Sequence, residues 1–286
     1  MELTVISGKG GTGKTTVALA LSELAGNAIK ADCDVDAPNL HLFYRGRDIK
    51  KEHFFGEKIA VVDKIFCTGC KECERVCRFD AINDGQVDKF KCEGCGACVL
   101  VCPEKAIRLK EVKTADVYIT QTDKGIVSRA QMEVGSEGSG RLITLLRNNA
   151  RKFADDDTLI IIDGSPGIGC SVISSITASD AVLIVTEPTQ SGLEDLKRTM
   201  ELCRHFGVPT FVCINKYDIN AKVTREIEDY CKENNVYLVG RIPYDDTVME
   251  SINQLKSIIY YEDSKANKAI RQMWDNIREH ITGLNQ

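Results

Sequence analysis

Two stretches of this 286-residue chain carry residue types that do chemistry as well as packing. The first is Gly8-Lys9-Gly10-Gly11-Thr12-Gly13-Lys14-Thr15-Thr16, which satisfies the pattern G-x-x-x-x-G-K-[ST]. Glycines in such a loop let the backbone wrap closely around phosphate oxygens, and the N–H groups of a following helix add partial positive charge. An ammonium at Lys14 suits the β- and γ-phosphates, and a hydroxyl at Thr15 suits a magnesium shell. The second stretch is rich in thiols. Eight of the 13 cysteines lie within residues 67–102, as Cys67, Cys70, Cys73 and Cys77 and then Cys92, Cys95, Cys98 and Cys102, each set reading C-x2-C-x2-C-x3-C. Such clustering in a chain with no secretion signal points to metal ligation over disulfides. Four-thiolate iron–sulfur clusters use runs of this kind, and zinc, which also takes C-x2-C pairs, is the competing metal.

These residues need elements to position them. A phosphate loop works between a strand and a helix. Residues 2–7 read as a short buried strand, and residues 14–24 carry apolar side chains at helical spacing. Residues 28–32 predict a second strand, ending on acidic residues. From 59 to 111 the pattern changes to dense cysteine and glycine with no helical period, which reads as an inserted module. Its duplication extends beyond cysteine: Val62-Asp63-Lys64 matches Val87-Asp88-Lys89 and Ala81-Ile82 matches Ala106-Ile107, at a constant offset of 25 residues. A pseudo-twofold module is expected. Arg78 departs from the repeat, standing where the second set has Pro103. Further strands are expected at 116–121, 158–162, 181–186, 210–214 and 236–239, with helices near 140–153, 191–206 and 222–234. Continuous apolar strands separated by amphipathic helices imply an α/β fold with a doubly wound, mostly parallel sheet. The expected domains are 1–58 with 112–286, carrying the phosphate loop, and the insert 59–111.

The phosphate loop is more specific than its generic pattern, because Lys9 follows the first glycine. It resembles the deviant Walker A motif of the MinD/Mrp/ParA and nitrogenase-iron-protein ATPases. The resemblance implies a homodimer that sandwiches ATP, hydrolyses it to ADP with Mg2+, and passes Lys9 across to the partner's phosphates; a solvated loop lysine is the plain alternative. Asp32-Cys33-Asp34 resembles the family's switch I, which implies that Asp34 orients the attacking water and Asp32 lies near the magnesium. Asp163-Gly164-Ser165-Pro166-Gly167 resembles the Walker B and switch II segment, with Asp163 acting on magnesium beside Thr15. Capping and turn roles are the alternative for these aspartates. Asn215-Lys216 and Ile242-Pro243-Tyr244-Asp245 resemble base-recognition loops, and adenine is implied by resemblance alone. The nucleotide-binding set is thus Gly8, Gly10, Gly11, Thr12, Gly13, Lys14, Thr15, Thr16, Asn215, Lys216 and Pro243, and the catalytic set is Lys9, Lys14, Asp34 and Asp163.

The cysteine run is similar to that of bacterial two-cluster ferredoxins, in which the fourth cysteine of each set ligates the other cluster. The resemblance implies two 4Fe-4S clusters, one on Cys67, Cys70, Cys73 and Cys102, the other on Cys92, Cys95, Cys98 and Cys77. Cys170 lies seven residues after Asp163, the offset of a cluster-bridging cysteine in the nitrogenase iron protein. The second bridging cysteine has no counterpart, so a metal or redox role for Cys170 stays open. Cys33, Cys203, Cys213 and Cys231 read as small buried hydrophobes, and the four histidines form no metal-binding spacing.

A net charge of −5 argues against nucleic acid as a partner. No window approaches the roughly 18 apolar residues of a membrane span, and Leu3 follows the start without a basic leader region, so a cytoplasmic location is expected. In residues 265–282, Ile270, Met273, Trp274, Ile277 and Ile281 share helical spacing. Membrane association through this segment is weighed against core packing, and Asp275 and Glu279 favour the core by weakening a basic face. The leading functional expectation is a homodimeric iron–sulfur ATPase that couples ATP to low-potential electron delivery or cluster transfer, with a redox or cluster-acceptor protein as partner. The alternative is a MinD-like positioning or scaffold ATPase with structural or sensory clusters.

Overall fold

The computed structural model describes residues 1–284. In chain order its strands and helices are β1 (Glu2–Ser7), α1 (Lys14–Leu24), β2 (Ile29–Asp32), β3 (Gly46–Val62), α2 (Glu72–Val76), β4 (Ile82–Asn83), β5 (Gln86–Val87), α3 (Ala97–Val101), β6 (Ile107–Thr122), β7 (Gly125–Met132), α4 (Gly140–Arg151), β8 (Ile160–Pro166), α5 (Cys170–Ile176), β9 (Ala181–Thr186), α6 (Gln190–His205), β10 (Thr210–Asn215), α7 (Ala221–Glu233), β11 (Tyr237–Ile242), α8 (Thr247–Asn253) and α9 (Lys265–Leu284). The chain forms two compact units. One comprises Met1–Lys51, Val117–Gln131 and the chain from Gly138 onward; the other comprises Glu52–Asp116 with Met132–Glu137. The chain passes between them within β3, β6 and β7 and again after Glu137.

In the first unit β1 runs parallel to β8 on one side and β9 on the other, within a sheet ordered β11-β10-β9-β1-β8-β2-β7-β6-β3. β2 is parallel to β8 and β7, and β10 to β9 and β11. All residues of β1 and β9 are buried, because helices cover both faces and side chains alternate between them. Leu3, Val5, Leu183 and Val185 pack on α1 and α9, whereas Ile6, Val182 and Ile184 pack on α5, α6 and α7. Ile270, Met273, Trp274 and Ile277 of α9 are all in the first of these cores, so the apolar face of the helix is used in packing. Ile281 lies outside the residues whose side chains are described. Among the described residues no helix is long and apolar enough to cross a membrane.

The sheet is wider than the periodicity indicates. The polar stretch before residue 59 belongs to the 17-residue strand β3, the expected strand at 116–121 is the end of the 16-residue β6, and β7 is a further strand beyond those expected. The reason is exposure. Most of β3 faces solvent, so its side chains need no apolar alternation. Only Asp123 and Lys124 separate the sheet neighbours β6 and β7, and a two-residue connection joins antiparallel strands.

The second unit repeats its backbone. α2 and α3 begin 25 residues apart. The left-handed residues Lys71 (φ 64°) and Gly96 (φ 79°) precede them, and Asp80 (φ 49°) and Lys105 (φ 51°) follow. The Asp63 amide donates to the Ala106 carbonyl at 2.7 Å, and the Asp88 amide donates to the Ala81 carbonyl at 2.8 Å, so each half closes on the other. Ala60, Ile82, Cys98 and Ile107 form its small apolar core.

One buried ion pair ties the start of the sheet to the helices beside it. Arg147 Nη2 lies 2.5 Å from Glu2 Oε2, and Arg147 Nη1 donates to the carbonyls of Ser174 and Thr177 at 2.7 and 2.6 Å. Arg151 adds a second guanidinium to Glu2. Burial alone raises the Glu2 pKa, but Arg151 and Arg147 overcome it and hold the carboxyl below its ordinary value. Removing one partner strands a buried charge, so Arg147→Met is expected to cost about 3 to 5 kcal/mol in denaturant unfolding; a loss below about 1 kcal/mol contradicts the pairing. Because the folded pKa is the lower one, this stabilisation is present above the unfolded carboxyl pKa and is lost as pH falls through the folded value. The variant should lose that part of the acid dependence.

Candidate functional site: a phosphate loop and two cysteine cradles

The loop after β1 turns into α1 at Gly13, whose φ is 88°. A Cβ there would stand 2.4 Å from Asn215 Nδ2, and one at Gly8 would stand 2.3 Å from Asp195 Cβ. Conformation and crowding therefore require glycine at 13, and close packing against α6 requires it at 8.

Lys14 opens α1 and is buried. Its Nζ lies 2.6 Å from Asp163 Oδ1 and 3.1 Å from Asp34 Oδ2. Burial alone would lower the ammonium pKa, but Asp163 and Asp34 raise it above its ordinary value, so Lys14 is a fixed cation. The carboxylates reach it because β2 and β8 are parallel neighbours in register Asp32↔Asp163, with Asp34 two residues past the end of β2. Burial raises the pKa of Asp163 and Asp32, opposed at Asp163 chiefly by Lys14 and at Asp32 by His41 and Lys14. Asp32 Oδ2 accepts the Leu40 amide at 3.1 Å. Asp32 Oδ1, Asp163 Oδ2 and Thr12 Oγ1 are buried without a partner among the described residues. Asp163 is in reach of the Thr15 hydroxyl, and unpaired carboxylate oxygens are hard oxygen donors of the kind magnesium takes, so this donor set fits that ion.

Gly10, Gly11, Gly13, Lys14, Thr15 and Thr16 line one wall of a cavity of about 650 Å³, and Asp34, Asp36 and Ser165 line another part. That volume is in the range of small-ligand sites. Lys9 is held elsewhere, its Nζ donating to Thr189 Oγ1 at 3.2 Å and Ser191 Oγ at 3.0 Å. The residues read as base-recognition loops are not on the cavity wall. Asn215 Nδ2 donates to the Thr12 carbonyl at 2.8 Å, its Oδ1 accepts the Lys216 amide at 3.0 Å, and the amide side chain thus braces the phosphate loop. Lys216 pairs with Glu187 at 2.6 Å, and Pro243 is half-buried between β11 and α8. Ile252 near the end of α8 and Leu255 just beyond it do line the cavity. They belong to no motif, and two apolar residues at the end of a short helix give no sequence signal of that role. His41, which belongs to no metal-binding spacing, lies 3.8 Å from Asp32 Oδ2.

In the second unit Cys67, Cys70, Cys73 and Cys102 line one cavity of about 200 Å³, and Cys77, Cys92, Cys95 and Cys98 line another of about 20 Å³. Backbone amides point at three of the sulfurs: Ala81 to Cys77 and Ala60 to Cys92 at 3.4 Å, and Ala106 to Cys102 at 3.3 Å. Among the described residues no three histidine, cysteine or acidic side chains converge on a point that would hold a single metal ion. Cys170 is exposed at the start of α5. Burial pushes the thiols of Cys203 and Cys231 up to about 11 and that of Cys213 to about 12, and raises that of Cys33 further, as expected of inert core residues.

A glycine-rich loop between the central parallel strand and its helix, facing acidic strand ends, defines a P-loop nucleotide-binding protein. The chain belongs to the CobQ/CobB/MinD/ParA nucleotide binding domain family, whose model matches residues 3–258. It is 35% identical to the uncharacterized protein MJ0578 of Methanocaldococcus jannaschii, over 98% of each chain. Its fold is similar to that of the Pyrococcus furiosus cell division ATPase MinD, with TM-score 0.59, 18% identity, and 97% of this chain and 98% of that chain covered. The septum site-determining protein MinD of Pyrococcus horikoshii OT3, complexed with Mg-ADP, is similar at TM-score 0.59 and 17% identity, covering 96% and 95%. The protein is thus a P-loop nucleotide-binding protein of that family, with a MinD-like fold. Lys14→Ala should weaken ADP and ATP binding at least about a hundredfold by calorimetry, since it removes the charge-assisted contacts of the loop lysine; unchanged affinity contradicts the site.

Proposed function

We propose that the chain is a MinD-like positioning or scaffold ATPase that switches between a monomer and an ATP-bound homodimer, its thiol-rich unit holding two 4Fe-4S clusters in a structural or sensory role. The observation that carries the nucleotide switch is the buried Lys14–Asp163–Asp34 contact, which joins the phosphate loop to two strand ends. The likeness to MinD favours positioning over the electron delivery or cluster transfer expected first from the sequence.

In this reading the γ-phosphate draws Lys14 away from its carboxylates, and Gly10, Gly11, Thr12 and Gly13 offer amides to the phosphate oxygens. Thr15, Asp32 and Asp163 would hold Mg2+, which supplies charge neutralisation on the β- and γ-oxygens. Asp34 accepts a proton from the attacking water as the bond from the γ-phosphorus to the ADP oxygen breaks. Lys9 leaves Thr189 and Ser191 and stabilises charge on the partner's phosphates. Asn215, Lys216 and Pro243 act by bracing the loop and its surroundings, with base recognition left to other walls of the site.

The donor sets fit iron–sulfur clusters. Each cavity is walled by four thiols, and three of the sulfurs already accept backbone amides. The same two cradles favour the second reading, in which the ATPase delivers electrons or clusters to an acceptor. Two measurements test these points. Anaerobically reconstituted protein should hold about eight iron atoms per chain, and four or fewer count against two clusters. A hydrolysis-blocked Asp34→Ala variant with ATP should retain its partner on a pull-down whether the iron is oxidised or reduced; release or iron transfer on reduction supports the delivery reading and defeats the positioning one.

A further inference from the structure

The two cysteine cradles share one repeated backbone but not one lining. Lys71, Glu72, Asp84 and Glu104 line the first. Their equivalents 25 residues away in the repeat are Gly96, Ala97, Leu109 and Phe79, and all four line the second. At the first cradle Lys71 Nζ lies 2.7 Å from Asp84 Oδ1, and both side chains are exposed. At the matching place in the second, a Cβ on Gly96 would stand 3.6 Å from Leu109 Cδ1, an ordinary apolar contact in place of an ion pair. The cavity volumes follow, about 200 Å³ against about 20 Å³.

We propose that these four differences make the cradles chemically unequal: the site of Cys67, Cys70, Cys73 and Cys102 is the more exchangeable one, open to external thiolates and carboxylates that compete for iron, while the site of Cys77, Cys92, Cys95 and Cys98, with Cys98 buried and a mostly apolar lining, exchanges more slowly. The inference rests on the iron–sulfur reading of both sites. An exposed ion pair is readily replaced by water, so Lys71 and Asp84 form a strap that opens easily. Phe79 and Leu109 instead present apolar surface at the second site, which disfavours the approach of small anions without closing it. Exchange is a ligand substitution: the incoming thiolate or carboxylate binds iron, the cysteine thiolate leaves and takes up a proton, and no electron changes hands.

The test uses the full chain, reconstituted anaerobically with iron and sulfide, its iron counted and then challenged with EDTA while visible absorbance is followed. Iron should leave in two phases of equal amplitude, the faster by about tenfold or more, as access governs thiolate substitution. Leu109→Asp should quicken the slow phase alone, and Asp84→Leu with Glu104→Phe should retard the fast phase alone. Lys71→Ala, at an exposed position that folding does not depend on, should quicken the fast phase by about threefold. Eight irons lost in a single phase, or phases that no variant moves, overturn the inequality and leave the iron–sulfur reading standing. Protein that takes up no iron, or only zinc, overturns that reading and the inequality with it.

Discussion

A buried ammonium must be compensated, and in the first unit that requirement organises everything around Lys14. Its charge is held by Asp163 at 2.6 Å and Asp34 at 3.1 Å, and an unpaired charge at that depth would cost several kcal/mol. Those carboxylates can meet the lysine only if β2 and β8 are parallel neighbours ending level with the loop after β1. The sheet order β9-β1-β8-β2 provides that placement. Both α1 and the loop depend on it, because the helix that carries Lys14 begins at the same residue.

In the proposed reading the same arrangement lets the site respond to a nucleotide. A ligand shifts a conformational equilibrium only by contacts that differ between the two states. Phosphate oxygens would compete with the carboxylates of Asp34 and Asp163 for one cation, so that occupation of the loop would change the partners of the segment after β2 and of β8. Asn215 holds the Thr12 carbonyl from β10, which keeps the loop itself in place while those segments exchange partners.

What the sequence disclosed follows from range. The phosphate loop and the cysteine repeat are contiguous, so both patterns stand out from spacing, as does the α/β class from its apolar strands. Asp32, Asp34 and Asp163 drew notice in the sequence because each follows an apolar strand pattern, and the structure brings Asp34 and Asp163 to Lys14. The contacts of Asn215 with Thr12 and of Lys216 with Glu187 join residues distant in the chain, so no local pattern reveals that these side chains brace the fold. Ile252 and Leu255 reach the cavity wall for the same reason. The long β3 was illegible on other grounds, since its exposed side chains carry no burial period. In the second unit the repeat fixes the backbone of both cradles, whereas their differing walls depend on which side chains the fold brings around each cavity.

The claim on which the account depends most is that ATP, and not ADP, completes the site by joining two copies of the chain. Light scattering on the full chain with Mg-ATP and with Mg-ADP measures this directly. The account predicts the mass of a dimer with ATP and of a monomer with ADP; the same mass in both nucleotides would contradict it.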